Sequence, residues 1–68
     1  MIKTFCERLK ELRKEKNLST IELADILGVG HSTVSRWENG VMTPTIDHLY
    51  NIAVYFKVTT DYLVGLEN

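Results

Sequence analysis

Residues 19–40 read STIELADILGVGHSTVSRWENG, and they carry the start and stop signals of two short helices separated by a tight turn. Ser19 followed three residues later by Glu22 is a capping box, which marks the first turn of a helix. Gly28 suits the end of that helix, because glycine adopts the left-handed conformation without strain. An Asn-Gly pair ends the second helix. We therefore predict helices over about residues 20–27 and 31–38.

Apolar positions in this stretch predict how the two helices pack. Leu23, Ala24 and Leu27 share one face of the first helix, and Val34 and Trp37 share one face of the second. The spacing of the tryptophan places it in the core rather than against a base. Two short helices joined by a glycine-containing turn form a helix-turn-helix, and the outer face of its second helix is free to enter a DNA major groove.

Three further helices are predicted outside this stretch, and no period of two residues suggests a strand. Thr4 and Glu7 read as a capping box, Thr45 and Thr59 read as N-caps, and Ile46 begins the inward stripe of the fourth helix. The expected bounds are about 5–16, 46–56 and 60–64. The sequence thus predicts an all-α protein, a compact five-helix bundle in which residues 1–68 form a single domain and residues 19–40 the helix-turn-helix unit.

Composition limits the classes of function. The 68 residues are 44% hydrophobic and include one cysteine, so no internal disulfide can form. We see no signal peptide and no apolar run of membrane-spanning length, and we expect a cytoplasmic protein without a membrane partner. No nucleophile–base pair and no set of residues at zinc spacing stands out. We therefore expect no enzyme activity, no cofactor, no metal site and no small-molecule ligand.

Charge is divided unevenly along the chain, although its net value is −1. Residues 1–36 carry seven basic and five acidic side chains, whereas residues 37–68 carry one basic and four acidic side chains. Such asymmetry is compatible with one face turned towards phosphate and the other turned away from it.

The outer face of the second helix of the motif carries side chains that suit DNA. Arg36 can donate two hydrogen bonds to guanine O6 and N7, Ser32 can bond to several base edges, and His31 can bond to a base or a phosphate. Hydroxyl groups at Thr20 and Thr33 are placed for phosphate contacts. The predicted base-reading residues are His31, Ser32, Ser35 and Arg36.

The order of these residues resembles the phage-repressor and Cro-type helix-turn-helix domain, a lambda-repressor-like family. The resemblance is carried by RLKELR (8–13), LS (18–19), ELA (22–24), LGV (27–29), VSRWENG (34–40), PT (44–45) and Leu63. It implies a five-helix bundle whose third helix reads operator DNA, with members that bind as dimers. It further implies an ion pair between Arg13 and Glu38 and a phosphate contact from Asn39. The predicted phosphate contacts are Thr20, Thr33, Asn39 and Thr43.

Three single residues and one loop depart from the family pattern. Many members have glutamine at Thr20, a polar residue at Gly30, basic residues in the loop that here reads Val-Met-Thr (41–43), and glycine at Lys57. The missing basic residues lower the electrostatic contribution that we expect to DNA affinity.

Several apolar residues of the C-terminal half exceed what one face of each helix must bury. Scattered surface apolar residues are ordinary, so a passive role is one alternative. The other is a homodimer interface, where aromatic side chains are enriched. The predicted interface residues are Tyr50, Val54, Tyr55, Tyr62 and Leu66.

These observations favour a transcriptional regulator, of repressor type, that binds a palindromic double-stranded operator as a homodimer. The same surplus of apolar residues motivates an alternative: a protein-binding module, such as an antitoxin, whose main partner is another protein.

Overall fold

The computed structural model describes residues 2–68, and this part of the chain contains helices and no strand. The five helices are α1 (Ile2–Glu15), α2 (Thr20–Leu27), α3 (Thr33–Glu38), α4 (Ile46–Phe56) and α5 (Thr60–Val64). The predicted all-α architecture of five helices is therefore confirmed. No helix within residues 2–68 is long and apolar enough to cross a membrane.

The capping box at the start of α2 is present as predicted. The backbone N–H of Glu22 donates to Ser19 Oγ at 3.0 Å, and the N–H of Ser19 donates to Glu22 Oε1 at 2.8 Å. At the other end of α2, Gly28 has a φ of 72° and donates its N–H to the carbonyls of Ala24 and Asp25. Backbone groups at both ends of this short helix thus find hydrogen-bond partners within a few residues along the chain.

The predicted caps of α4 and α5 are also present. Thr45 Oγ1 accepts from the N–H of His48 at 3.1 Å, and Thr59 Oγ1 accepts from the N–H of Tyr62 at 3.0 Å. After α4 the chain passes through the left-handed conformation at Lys57, whose φ is 58°. This is the position at which the family pattern has glycine, and a side chain there costs about 1 kcal/mol.

The predicted start of α1 is wrong. The helix begins at Ile2, so Thr4 lies within its first turn and is not an N-cap, and Glu7 does not complete a capping box. Ile2 is half-buried and packs against the core, which favours an earlier start to the helix. The helix ends at Glu15, close to the predicted residue, and Asn17 follows it with a φ of 56°.

Two further predictions need correction. Helix α3 begins at Thr33, two residues after its predicted start, because His31 and Ser32 form a turn in which the Gly30 carbonyl accepts from the Thr33 N–H at 3.0 Å. Ile46 is 86% exposed and does not belong to the inward stripe of α4. It occupies the first position of the helix, where its side chain is open to solvent.

The core draws residues from all five helices. Helix α1 packs against α3 and α5, α2 packs against α3 and α4, and α4 packs against α5. The rings of Phe5 and Trp37 meet edge to face with their centroids 6.4 Å apart, so the tryptophan is a core residue as predicted. The largest fully buried side chains are Trp37, Phe5, Leu9, Leu23, Ile52, Leu63 and Val34. One face of α3 is therefore held by the core, and the other is left to solvent.

Candidate nucleic-acid interface

The solvent face of α3 and the turn that leads into it bring together most of the side chains predicted to read bases. His31, Ser32 and Arg36 are exposed, whereas Ser35 is half-buried. Val34 and Trp37, on the opposite face of the same helix, are 0% and 1% exposed. The burial of these two residues fixes the rotation of the helix about its axis, and the polar side chains consequently project outwards as one group.

The residues predicted to contact phosphate surround this face but differ in accessibility. Thr20 and Thr33 are half-buried, at the first positions of α2 and α3, whereas Asn39 and Thr43 are exposed beyond the end of α3. The amide Nδ2 of Asn39 donates to Ser35 Oγ at 3.4 Å, so a predicted phosphate contact and a predicted base contact are linked. All four are uncharged hydrogen-bonding groups.

An arginine on α1 joins three segments around the motif. The Nε and Nη2 atoms of Arg13 donate to the two carboxylate oxygens of Glu38 at 2.7 and 3.0 Å, and Nη1 donates to the Leu18 carbonyl at 2.7 Å. The side chain of Arg13 is only 11% exposed and that of Glu38 only 7%. This fork geometry ties α1, the loop before α2 and the last residue of α3 into one unit.

The environment of Arg13 keeps it charged. Its hydrogen bonds to Glu38 raise the pKa of the guanidinium above its ordinary value, desolvation opposes this, and the charge of the carboxylate adds to the rise. A group whose pKa rises on folding stabilises the folded state at every pH below its unfolded value. For an arginine this covers the whole range in which proteins are normally handled.

A second contact from α1 reaches the same end of α3. The thiol of Cys6 donates to the Trp37 carbonyl at 2.9 Å, and a Cβ at Gly40 would lie 3.8 Å from the sulfur. From α4, the centroid of the His48 ring lies 5.3 Å from the centroid of the indole ring of Trp37. The C-terminal end of α3 is therefore held by α1 and α4 together.

An acidic residue that the sequence did not single out touches the predicted base-reading face. Asp25 Oδ1, in the last turn of α2, lies 3.1 Å from Nε2 of His31, and both side chains are about two-thirds exposed, at 65% and 68%. The signal that could have identified it is an acidic side chain at the C-terminal end of a helix, where the helix dipole disfavours negative charge.

Three of the predicted dimer residues are exposed. Tyr50, Val54 and Leu66 are 63%, 58% and 77% exposed. Ile46, which the sequence assigned to the core, precedes Tyr50 by four residues and extends the exposed stripe along α4. The spacing of four residues was visible in the sequence, but it does not reveal which side of the helix faces the core.

The other two predicted dimer residues already have partners within the chain. The centroids of the Tyr55 and Phe56 rings are 4.9 Å apart. The ammonium nitrogen of Lys16 lies 5.4 Å from the centroid of the Tyr55 ring. The guanidinium of Arg8 stands 4.2 Å above the ring of Tyr62 and also donates to the Tyr62 carbonyl. Both tyrosines are half-buried, so each could contribute only an edge to an interface.

An apolar depression adjoins the exposed stripe of α4. Its lining residues are Phe5, Pro44, Thr45, Ile46, Leu49 and Val64. Within residues 2–68, no three His, Cys, Asp or Glu side chains come close enough together to hold a metal ion.

Comparison with known proteins identifies the family. The helix-turn-helix model HTH_3 matches residues 9–63. The chain is 43% identical over 61 residues to the HTH-type transcriptional regulator AnsR of Bacillus subtilis, covering 90% of this chain and 53% of that one. It is 40% identical over 52 residues to Repressor protein C of Escherichia phage P2, covering 76% of this chain and 52% of that one.

The fold is shared with a solved structure. An HTH_3 family transcriptional regulator from Vibrio cholerae superposes with a TM-score of 0.78 and 28% identity, over 96% of this chain and 36% of that chain. The chain thus spans about half the length of the two relatives above and a smaller share of this regulator. The names of similar proteins include both repressors and an activator. The chain belongs to the HTH_3 helix-turn-helix family, the phage-repressor and Cro type that its sequence resembles.

Proposed function

We propose that this chain binds a specific sequence of double-stranded DNA through α3, as the DNA-binding part of a transcriptional regulator. The observation that carries the proposal is the two-sided character of α3. Val34 and Trp37 are buried on one face, while Arg36 is exposed on the other. His31 and Ser32 are exposed in the turn that leads into the helix. A major groove is wide enough to admit a helix presented in this way.

Each exposed side chain has a role that its chemistry allows. Arg36 donates two hydrogen bonds to a guanine, and Ser32 and His31 contact neighbouring base edges. Ser35 contributes from the rim, because it is half-buried and bonded to Asn39. Hydroxyl and amide groups of the predicted phosphate contacts fix the position of the helix on the duplex without reading its sequence. The four are Thr20, Thr33, Asn39 and Thr43.

Homodimerisation is the second part of the proposal. The exposed apolar side chains of Tyr50, Val54 and Leu66 supply a surface that a second copy can cover, with the edges of Tyr55 and Tyr62 at its margin. A two-fold dimer would place two α3 helices about one DNA turn apart, which matches a palindromic operator. Dimerisation also doubles the contacts, which compensates for a recognition face with few basic groups.

The regulator acts in this proposal as a repressor that occupies its operator. Similarity to phage repressors supports this direction, although an activator is among the similar proteins. A reporter gene placed downstream of the selected operator tests whether the chain represses or activates transcription. Expression that falls when the chain is present supports repression, and expression that rises contradicts it.

Selection from random duplex DNA is the experiment that tests sequence-specific binding. The expected result is an enriched pair of inverted half-sites whose centres lie about 10 base pairs apart. Affinity for this site should fall as salt rises, because phosphate contacts release counterions. Enrichment of no sequence after repeated rounds would contradict the proposal.

A second candidate function is a protein-binding module, such as an antitoxin. The exposed stripe of Ile46, Tyr50 and Val54 favours it, because the same apolar surface could hold a different protein. Purification of the chain from its native cells decides between the two candidates. A stoichiometric protein partner, together with no enriched DNA sequence, would favour the protein-binding module.

A further inference from the structure

The contact between Asp25 and His31 favours one tautomer of the neutral imidazole. Asp25 Oδ1 and His31 Nε2 are 3.1 Å apart. An ionised carboxylate can only accept hydrogen bonds, so Nε2 must carry a hydrogen to make this contact. In a neutral imidazole the other nitrogen, Nδ1, is then an acceptor.

The position of Asp25 is not explained by the stability of α2. The residue lies in the last turn of the helix, where the helix dipole disfavours an acidic group, and this turn contains no basic residue. Its partner is 68% exposed, and exposed pairs contribute little to folding. The carboxylate would also repel the phosphates of a bound duplex. Its contact with a side chain of the recognition face therefore needs a different explanation.

We propose that Asp25 is a positioning residue of the DNA interface, which orients His31 so that Nδ1 accepts a hydrogen bond from the amino group of adenine or cytosine. Adenine N6 and cytosine N4 are the hydrogen-bond donors of the major groove, whereas guanine and thymine present acceptors there. On the strand that His31 faces, the pair consequently favours adenine or cytosine. The inference rests on the proposed function, because it assumes that α3 enters the groove.

Asp25→Ala and His31→Ala test the inference in binding to the selected operator and to versions altered at each base pair, at pH 8. Wild-type protein should prefer adenine or cytosine at one position, and both variants should lose about threefold to tenfold of that preference, the contribution of one hydrogen bond. The double variant should lose no more than either single variant, because the two residues act as one unit.

Two control variants separate positioning from charge. Asp25→Asn keeps an acceptor oxygen without the charge, so it should retain more of the base preference than Asp25→Ala. Glu11→Gln removes one negative charge from the exposed surface of α1 and should leave the preference unchanged. If Asp25→Asn and Asp25→Ala behave alike, charge alone accounts for the effect and the inference is overturned.

The free protein offers a readout that does not depend on DNA. Three-bond couplings measured by NMR should report one χ1 rotamer for His31 in the wild type and rotamer averaging in Asp25→Ala. His48, which packs against Trp37, is an internal reference whose couplings should not change. Rotamer averaging of His31 in the wild type would contradict the inference.

The results distinguish this inference from the proposed function. Loss of base preference in His31→Ala but not in Asp25→Ala would overturn the role of Asp25 and leave DNA recognition intact. Retention of full preference by His31→Ala would overturn the inference while Arg36 could still read the site. Absence of any base preference in the wild type would remove the proposed function itself.

Discussion

At the scale of single residues, we propose that recognition of DNA depends heavily on Arg36. It is the one basic side chain within α3, and it is exposed. The neighbouring serines can donate and accept at several base edges, so they discriminate weakly. A guanidinium that meets guanine with two hydrogen bonds discriminates more strongly, because its planar fork matches O6 and N7.

Replacement of Arg36 by alanine should weaken binding to the selected operator by about 1–3 kcal/mol, or roughly 5-fold to 150-fold. Fluorescence anisotropy with labelled duplexes at fixed salt measures the change. Lys10→Ala is the matched control, since Lys10 is an exposed basic residue of α1. Equal affinity of Arg36→Ala and wild type for the operator would show that the arginine does not read bases.

At the scale of helices, α2 and α3 begin in different ways. The Ser19 side chain accepts a hydrogen bond at the start of α2, whereas the Ser32 side chain makes no capping hydrogen bond at the start of α3. The contrast indicates that Ser19 serves the fold, and it fits our proposal that Ser32 contacts DNA.

The same substitution at both caps tests this difference. Ser19→Ala should lower the free energy of unfolding by about 1 kcal/mol, because it removes the capping box. Ser32→Ala should leave stability nearly unchanged and weaken operator binding. Urea unfolding followed by circular dichroism measures stability, and anisotropy measures binding. A stability loss at Ser32 as large as that at Ser19 would contradict the assignment.

The ion pair at the end of α3 should matter more than an exposed one. Glu38→Ala leaves the guanidinium of Arg13 largely buried without its carboxylate, which should cost about 3–5 kcal/mol in the free energy of unfolding. Glu38→Gln keeps an acceptor oxygen, so it should lower the free energy of unfolding by less than Glu38→Ala does. Glu11→Ala, on the exposed face of α1, is the control. Thermal unfolding measures all three, and a Glu38→Ala variant as stable as the control would contradict the role of the pair.

At the scale of the whole molecule, oligomerisation decides whether two recognition faces act together. Val54→Glu places a charge on the exposed stripe of α4 and should leave the fold intact, because Val54 is 58% exposed. We expect it to reduce the dimer fraction in sedimentation equilibrium and to weaken binding to the full palindrome more than to a half-site. Ile26→Glu is the matched control for sedimentation, since Ile26 is 46% exposed on α2. A Val54→Glu variant that dimerises like the control would place the interface elsewhere.

Electrostatics is also a property of the whole molecule, whose net charge is −1. Val41, in the loop after α3, is 75% exposed and occupies a region where family members carry basic residues. Val41→Lys should raise DNA affinity. It should also steepen the slope of the logarithm of the binding constant against the logarithm of the salt concentration by about one unit, because one more phosphate is neutralised. Val41→Gln controls for polarity. If the slope for Val41→Lys equals that of the wild type, this loop lies away from the DNA backbone.

The sequence by itself determined the helices whose ends are set by local contacts. Ser19, Thr45 and Thr59 each bond to a backbone group three residues away, and Gly28 ends α2 within the same turn. These interactions depend on neighbouring residues, so a short sequence window contains them. The buried positions of Val34 and Trp37 followed from helical spacing for the same reason.

Only the tertiary structure decided the features that depend on distant residues. Packing of Ile2 against the core moved the start of α1, and the position of α4 left Ile46 exposed. Arg8, 54 residues away in the chain, covers the Tyr62 ring. The contact between Asp25 and His31 requires the angle between α2 and α3, which side-chain packing sets. Local sequence encodes helix ends, whereas the exposure and pairing of side chains depend on how the helices pack around the core.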